Sequence, residues 1–217
     1  MEDEMDKFKN VDAVILDVDG TLWDSTPIVA KAWTRAVQEN GCNMTVTADM
    51  LKQLFGRTMK LIADLMLPHI EEKKRYEILD VCCEYEHQAL EEDECNICYP
   101  GVKETIIKLS EHLPVCIVSN CQSGYIELFL EKTGLAPYVT DFECYGNTGK
   151  SKGENIQLVV ERNHYVTPIY VGDTEGDRTA AEAAGMPFIY ASYGFGKPGR
   201  ADYVIQQFDE LLQLITK

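Results

Sequence analysis

Short apolar runs that stop abruptly at polar residues set the tightest limit on how this chain can fold. The first, residues 11–17, reads VDAVILD and leads straight into Asp17-Val18-Asp19-Gly20-Thr21. Residues 115–118 end at Ser119-Asn120, and residues 168–171 end at Gly172-Asp173. Residues 188–191 repeat the pattern, and a short strand is expected within 138–144 and another, at an edge, over 203–205. Runs this short, rich in β-branched residues and without polar alternation suit strands buried on both faces. Between them lie helical patterns over residues 101–112, 124–132, 153–162, 176–184 and 208–215. Strands alternating with amphipathic helices predict an α/β chain: a Rossmann-like, mostly parallel sheet covered on both sides.

One stretch breaks that rhythm. Ser25 or Thr26 can cap a helix with Pro27 in its first turn, and Ile28, Ala32, Ala36 and Val37 share a face until Gly41 ends it. Residues 45–98 then carry only helical patterns, over 47–54, 58–66 and from beyond Pro68 to about Leu90. The expected organisation is an α/β core formed by residues 1–20 and 100–217. Residues 21–99 form an inserted helical module, with hinges near 22–24 and 99–101.

Charge excludes some partners. Twenty Lys and Arg face 36 Asp and Glu, a formal charge of -16. No basic stripe is available for a nucleic-acid polymer, and an anionic membrane surface is an equally poor partner. Residues 1–10 are acidic and lack an apolar signal core, and no apolar stretch approaches the roughly 20 residues of a membrane span. A cytoplasmic chain with reduced cysteines is expected. Cys95 and Cys98 form one CxxC, two ligands where a structural zinc needs four, so both read as structural or incidental.

The polar residues at the strand ends carry the functional signal, because ligands of open α/β sheets bind outside the carboxyl ends of the strands. Asp17 and Asp19 flank a single residue and repel unless a cation or shared proton intervenes. Asp173 and Asp177 bring further carboxylates, Asp177 doubling as a helix cap, while Glu175 faces solvent. Such an all-oxygen set suits Mg²⁺, which commonly bridges carboxylates to substrate phosphates. Ser119 with Asn120 can hold phosphoryl oxygens, and a lysine is needed to balance the acids. Lys152, immediately before a helix, is preferred to Lys150.

Together these motifs resemble the haloacid dehalogenase-like hydrolase superfamily, in its capped phosphatase branch. Asp17-Val18-Asp19-Gly20-Thr21-Leu22 matches the first family motif, Ser119-Asn120 the second, a lysine within 150–152 the third, and Gly172-Asp173-Thr174-Glu175-Gly176-Asp177 the fourth. Asp24-Ser25, Gly56-Arg57 and Tyr99-Pro100-Gly101-Val102 resemble the phosphoglycolate phosphatase and β-phosphoglucomutase group. Many capped phosphatases have Lys-Pro in the third motif; here the stretch reads Gly149-Lys150-Ser151-Lys152-Gly153-Glu154-Asn155, which leaves Lys150 and Lys152 both open on the motif.

The resemblance implies that Asp17 is a nucleophile forming an aspartyl-phosphate and that Asp19 is the general acid/base. It implies Mg²⁺ held by Asp17, the Asp19 carbonyl and Asp173 with Asp177 in support, and a phosphoryl group bound by Ser119, Asn120 and Lys152. Arg57 becomes a cap contact to a small phosphorylated metabolite. A monomer or weak homodimer is expected. A β-phosphoglucomutase-like phosphomutase and a non-catalytic phospho-ligand binding protein remain alternatives on sequence. His69, His87 and Trp33 read as surface or packing residues. Trp23 either packs or lines the entrance, and Tyr193 and Phe195 wall the pocket or shape a loop.

Overall fold

The computed structural model describes residues 8, 10–94 and 97–215. Cys95 lies outside these residues; Cys98 is half-buried. Six strands form one sheet: β1 (Val14–Leu16), β2 (Val115–Ser119), β3 (Asp141–Cys144), β4 (Ile169–Gly172), β5 (Phe188–Ala191) and β6 (Tyr203–Ile205). Their order is β3-β2-β1-β4-β5-β6, and every neighbouring pair is parallel. The α/β expectation therefore holds, with β6 at the edge.

Alternation explains why these runs are apolar throughout. Val14 and Leu16 point into one core cluster with Val115, Ile117 and Val171. Ile15 points into a second with Cys116, Val118 and Tyr170. Successive strand residues face opposite sides, so β1, β2 and β4, buried on both faces, are apolar up to their last residues, whereas β3 at the edge carries Asp141 and Glu143. Each such aliphatic residue contributes about 1.5–3 kcal/mol by leaving water.

Helices α5 (Val102–Ser110), α6 (Tyr125–Thr133), α8 (Lys152–Asn163), α9 (Glu175–Ala183) and α10 (Glu210–Ile215) connect and cover the strands, with a four-residue helix α7 (Tyr145–Thr148) after β3. The sequence pattern does not announce α7. Strand β3 also starts later than its apolar run, because Ala136–Tyr138 forms a 3₁₀ turn with Pro137 in its first turn. Proline lacks the N–H a ladder needs but fits a helical start.

Among the described residues, four helices lie between β1 and α5: α1 (Thr26–Glu39), α2 (Ala48–Leu54), α3 (Met59–Met66) and α4 (Glu72–Glu92). Trp33 of α1 sits at their centre, fully buried, edge-on to Phe55 at 6.3 Å. The outgoing and returning chains pair where this insert leaves the sheet. Asp24 N–H donates to the Ile97 carbonyl at 3.0 Å, and Tyr99 N–H to the Leu22 carbonyl at 3.0 Å. Capping differs from expectation at one point. Ser25 is the N-cap of α1 but makes no side-chain cap bond; Asp24 accepts from Thr26 N–H at 3.1 Å instead. The Ser25 hydroxyl is directed at Asp19.

No helix among the described residues is long and apolar enough to cross a membrane.

Candidate active site

The strand order reverses around β1, so the carboxyl ends of β1, β2 and β4 meet at one crevice. Register decides what stands there. Leu16 pairs with Ile117 and Val171. The next residues along each strand bring Asp17, Ser119 and Asp173 to the same edge.

Three carboxylates converge there. Oxygens of Asp17, Asp173 and Asp177 lie within 4.8 Å of one another, and all three residues are buried. Lys152, the first residue of α8, reaches between them. Its Nζ stands 2.9 Å from Asp17 Oδ1 and 2.6 Å from Asp177 Oδ1. Lys150 is exposed. Only one of the two candidate lysines enters the crevice, therefore, and the choice follows from helix phase. Ser151 caps α8 through a capping box with Glu154, which turns the adjacent side chain inward.

Asp177 combines two duties on its two oxygens. Oδ2 accepts from the Thr174 N–H at 2.8 Å and hydroxyl at 2.7 Å, closing the start of α9, while Oδ1 meets Lys152. Asp173 Oδ2 accepts from Phe195 N–H at 2.6 Å. Asp173 Oδ1 is buried with no hydrogen-bond partner among the described residues. Two glycines allow this crowding. Gly20 has φ +83°, and a Cβ there or at Gly194 would overlap Asp173. Phe195 thus belongs to the site through its backbone, and Tyr193 through its hydroxyl, which holds the Thr21 carbonyl at 2.9 Å.

Fully ionised, three carboxylates and one ammonium leave two negative charges in a buried space. The electrostatics reflect that excess. Burial, then the Asp177 charge, push Asp17 up to about 6, against Lys152 and a hydrogen bond from Ser119. Burial and the other two carboxylates raise Asp173 well above the carboxylate range. Burial opposes the Lys152 ammonium, but Asp17 and Asp177 outweigh it and raise its pKa. A hard divalent cation fits this donor set: it neutralises two charges and engages the unpartnered Asp173 oxygen.

The Asp19 side chain stands apart from the three-carboxylate cluster. Its Oδ1 accepts from Trp23 Nε1 at 3.1 Å, Ser25 Oγ at 2.6 Å and Tyr125 OH at 2.8 Å. Burial pushes Asp19 up to about 7, against the hydrogen bonds from Ser25 and Tyr125. Trp23 does pack, edge-on to Tyr125 and Phe129 at 5.6 and 5.0 Å, and its indole N–H also orients Asp19. Tyr125 gave no sequence signal, because it lies over 100 residues from Asp19 and opens an ordinary amphipathic helix.

Asp17, Asp19, Ser119 and Asn120 share a narrow cavity of about 20 Å³ with Phe55, Gly56, Arg57, Met59, Ile62 and Glu86 of the insert. Asn120 Nδ2 donates to the Gly56 carbonyl at 2.8 Å, joining the sheet end to the α2–α3 turn. Arg57 is exposed at the rim in the α2–α3 turn, and its guanidinium donates to the Gln53 and Leu54 carbonyls at the end of α2. His69 is exposed and His87 half-buried. Trp33 packs as expected of it, but its indole also donates to Glu86 at 2.7 Å.

Glu86 is the site residue that sequence reading missed. It is 2% exposed, and Gln122 Nε2 donates to its second oxygen at 2.8 Å. Burial pushes it up to about 8, against its bonds from Gln122 and Trp33. It sits in a helix crowded with glutamates, where nothing local separates a buried acid from a solvated one.

The family profile of haloacid dehalogenase-like hydrolases matches residues 14–191. A phosphoglycolate phosphatase of Photobacterium profundum is 28% identical, over 97% of this chain and 98% of its own length. One from Rhodobacter capsulatus is 26% identical over 85% and 86%. Among solved structures, a predicted phosphoglycolate phosphatase from Haemophilus somnus shares the fold with TM-score 0.82 at 19% identity, covering 95% of this chain and 98% of that one. CbbY from Rhodobacter sphaeroides, solved with xylulose-(1,5)-bisphosphate, shares it with TM-score 0.79 at 16% identity, covering 93% and 96%.

Proposed function

The chain belongs to the haloacid dehalogenase-like hydrolase family, and from that premise we propose that it is a Mg²⁺-dependent phosphatase of a small phosphorylated metabolite, working in the cytoplasm through an aspartyl-phosphate. The observation that carries the proposal is the buried cluster of Asp17, Asp173 and Asp177 around Lys152, with an Asp173 oxygen that has no hydrogen-bond partner among the described residues.

Asp17, Asp173 and Asp177 would hold the metal, together with the Asp19 backbone carbonyl. When bound, Mg²⁺ screens the repulsion between carboxylates and a phosphoryl group. Lys152, Ser119 and Asn120 hold phosphoryl oxygens. An Asp17 oxygen attacks phosphorus, and the bond to the leaving alkoxide breaks. Asp19 gives that alkoxide its proton. Three donors already occupy Asp19 Oδ1, so the proton resides on Oδ2. A pKa near 7 keeps the acid form populated at neutral pH, as a proton donor requires. Asp19 then takes a proton from water as that water attacks the aspartyl-phosphate, releasing phosphate and regenerating both carboxyls.

In this reading α1–α4 act as a cap on residues 21–99, and the paired segments around Trp23 and Cys98 act as its hinge. Closure excludes water from the first step and brings Arg57 and Glu86 over the leaving group.

The test is hydrolysis of a phosphomonoester panel with and without Mg²⁺, by the wild type and Asp17→Asn. Activity should require the metal and fall at least about 10⁴-fold in the variant. A folded, Mg²⁺-supplied wild type that hydrolyses no ester overturns the proposal, as does an Asp17→Asn protein that keeps its rate.

A further inference from the structure

We propose that Tyr125 is a positioning residue for the proton step: its hydroxyl holds Oδ1 of Asp19, so that Oδ2 is left to face the leaving oxygen. This rests on the phosphatase reading above and adds to its machinery a group that motif spacing does not mark.

Reach is the first argument. Tyr125 opens α6, is 1% exposed, and places its hydroxyl 2.8 Å from Asp19 Oδ1 across 106 residues of chain. The other two donors on that oxygen, Trp23 and Ser25, lie four and six residues beyond Asp19, on the segment that leads out to the insert. Tyr125 is therefore the donor that ties the acid to the core rather than to the insert.

Valence is the second. A carboxyl oxygen offers about two lone-pair sites, and three donors surround Oδ1. Ser25 makes the shortest of these contacts, at 2.6 Å. The Tyr125 hydroxyl has a second acceptor, Ser25 Oγ at 3.0 Å, and can turn between the two. In either position it fixes Oδ1, directly or through the Ser25 hydroxyl. Its direct bond is strongest once Asp19 is a carboxylate, because hydrogen bonds to an ionised acceptor are shorter and stronger. A bond that strengthens as charge develops contributes to rate rather than to binding alone.

The free oxygen is the third. All the hydrogen bonds to the Asp19 carboxyl among the described residues fall on Oδ1. Asp19 lines the narrow cavity together with Asp17 and Ser119. As the bond from Asp17 to phosphorus forms and the ester bond breaks, the leaving oxygen takes the Oδ2 proton, and the pair of that O–H bond stays on Asp19. Tyr125 does not supply the proton itself. Burial, then the charges of Asp19 and Glu86, push its phenol well above the ordinary value.

The experiment measures kcat/KM with Mg²⁺ for two kinds of ester. Phenyl phosphate and ethyl phosphate need a proton on the departing oxygen. p-Nitrophenyl phosphate and acetyl phosphate release anions that are stable near neutral pH and need none. Because kcat/KM covers the reaction up to the aspartyl-phosphate, it reads the step in which Asp19 is the acid. In Tyr125→Phe the ratio of the first kind to the second should fall at least about 10-fold, a share of the roughly 100-fold or more that a positioned acid supplies. Asp19→Asn should lower the ratio further. The double variant should lie within about 2-fold of Asp19→Asn, since a residue that acts only through Asp19 then has nothing to position. A Tyr125→Phe protein that slows all four esters by one factor overturns the inference, as does an unchanged ratio or a loss that multiplies with that of Asp19→Asn. The phenylalanine keeps the ring that packs edge-on to Trp23 at 5.6 Å. Should the variant not fold, Ser25→Ala decides on the same ratio: it removes the hydroxyl through which Tyr125 also reaches Asp19, and an unchanged ratio there overturns the inference. Hydrolysis by the wild type without the predicted change of ratio sinks the role of Tyr125 alone. No hydrolysis of any of the four sinks the phosphatase reading, and this inference with it.

Discussion

Buried acid is handled in two ways on the two sides of the cavity. At the sheet end, Asp17, Asp173 and Asp177 surround one lysine and leave an Asp173 oxygen without a hydrogen-bond partner among the described residues. On the helical insert, Glu86 has no cation partner among the described residues, only an indole and an amide as donors. The first arrangement keeps charge and asks for more counter-charge. The second suppresses charge by desolvation and holds the carboxyl in place with neutral hydrogen bonds. A site for a doubly charged ligand and its metal needs the former.

The largest expected effect comes from breaking the sheet-end pairing. Lys152→Met leaves buried carboxylates uncompensated and should cost about 3–5 kcal/mol in urea unfolding of the metal-free protein. Added Mg²⁺ should recover part of that loss, because it binds the folded state and supplies the missing charge. Unchanged stability without metal would show that the cluster is already protonated, and the two regions would then differ less than described.

A smaller effect should separate the insert. Glu86 has a folded-state pKa near 8 against 4.5 for an unperturbed glutamate, with burial as the main cause and Asp19 as its charged neighbour. The folded state therefore binds more protons than the unfolded state between those values. Stability attributable to Glu86 is present below about pH 4.5 and declines as pH rises toward 8. Glu86→Gln should flatten that decline and gain about 4 kcal/mol at pH 8 relative to pH 4.5, in EDTA and in Mg²⁺ alike. Equal pH profiles in wild type and variant would count against a proton-neutralised acid.

The smallest effect concerns the link between the regions. Asn120→Ala removes the 2.8 Å bond to the Gly56 carbonyl and should cost about 1 kcal/mol. Amide hydrogen exchange should accelerate in α2 and α3 and stay unchanged in β1, β2 and β4. Faster exchange spread evenly over both regions would mean that they open as one unit.

The sheet was legible because strands buried on both faces must be apolar at every position, and the polar stop after each marks its carboxyl end. The insert was legible as helices from their period, though not as the source of Glu86. Motif spacing named the residues that the crevice brings together but left the lysine open between Lys150 and Lys152, and the preference for Lys152 came from its place at the start of a helix. It left Tyr125 and Gln122 unmarked, because a hydroxyl or amide on an amphipathic helix looks the same whether it meets water or a carboxylate. Ser25 was read as a cap, since its local position is right for one, while Asp24 does that work and Ser25 serves Asp19.

What the sequence determined by itself was whatever depends on near neighbours: the strand runs, the helix phases, the glycine at position 20 and the carboxylates two and four residues apart. Tertiary structure decided which carboxyls share a space and which donors reach them. Lys152 meets Asp17 across 135 residues of chain, Tyr125 meets Asp19 across 106, and Trp33 meets Glu86 across 53. Burial, and with it each acid's hold on its proton, is fixed by packing from elements distant in sequence, and no local pattern encodes it.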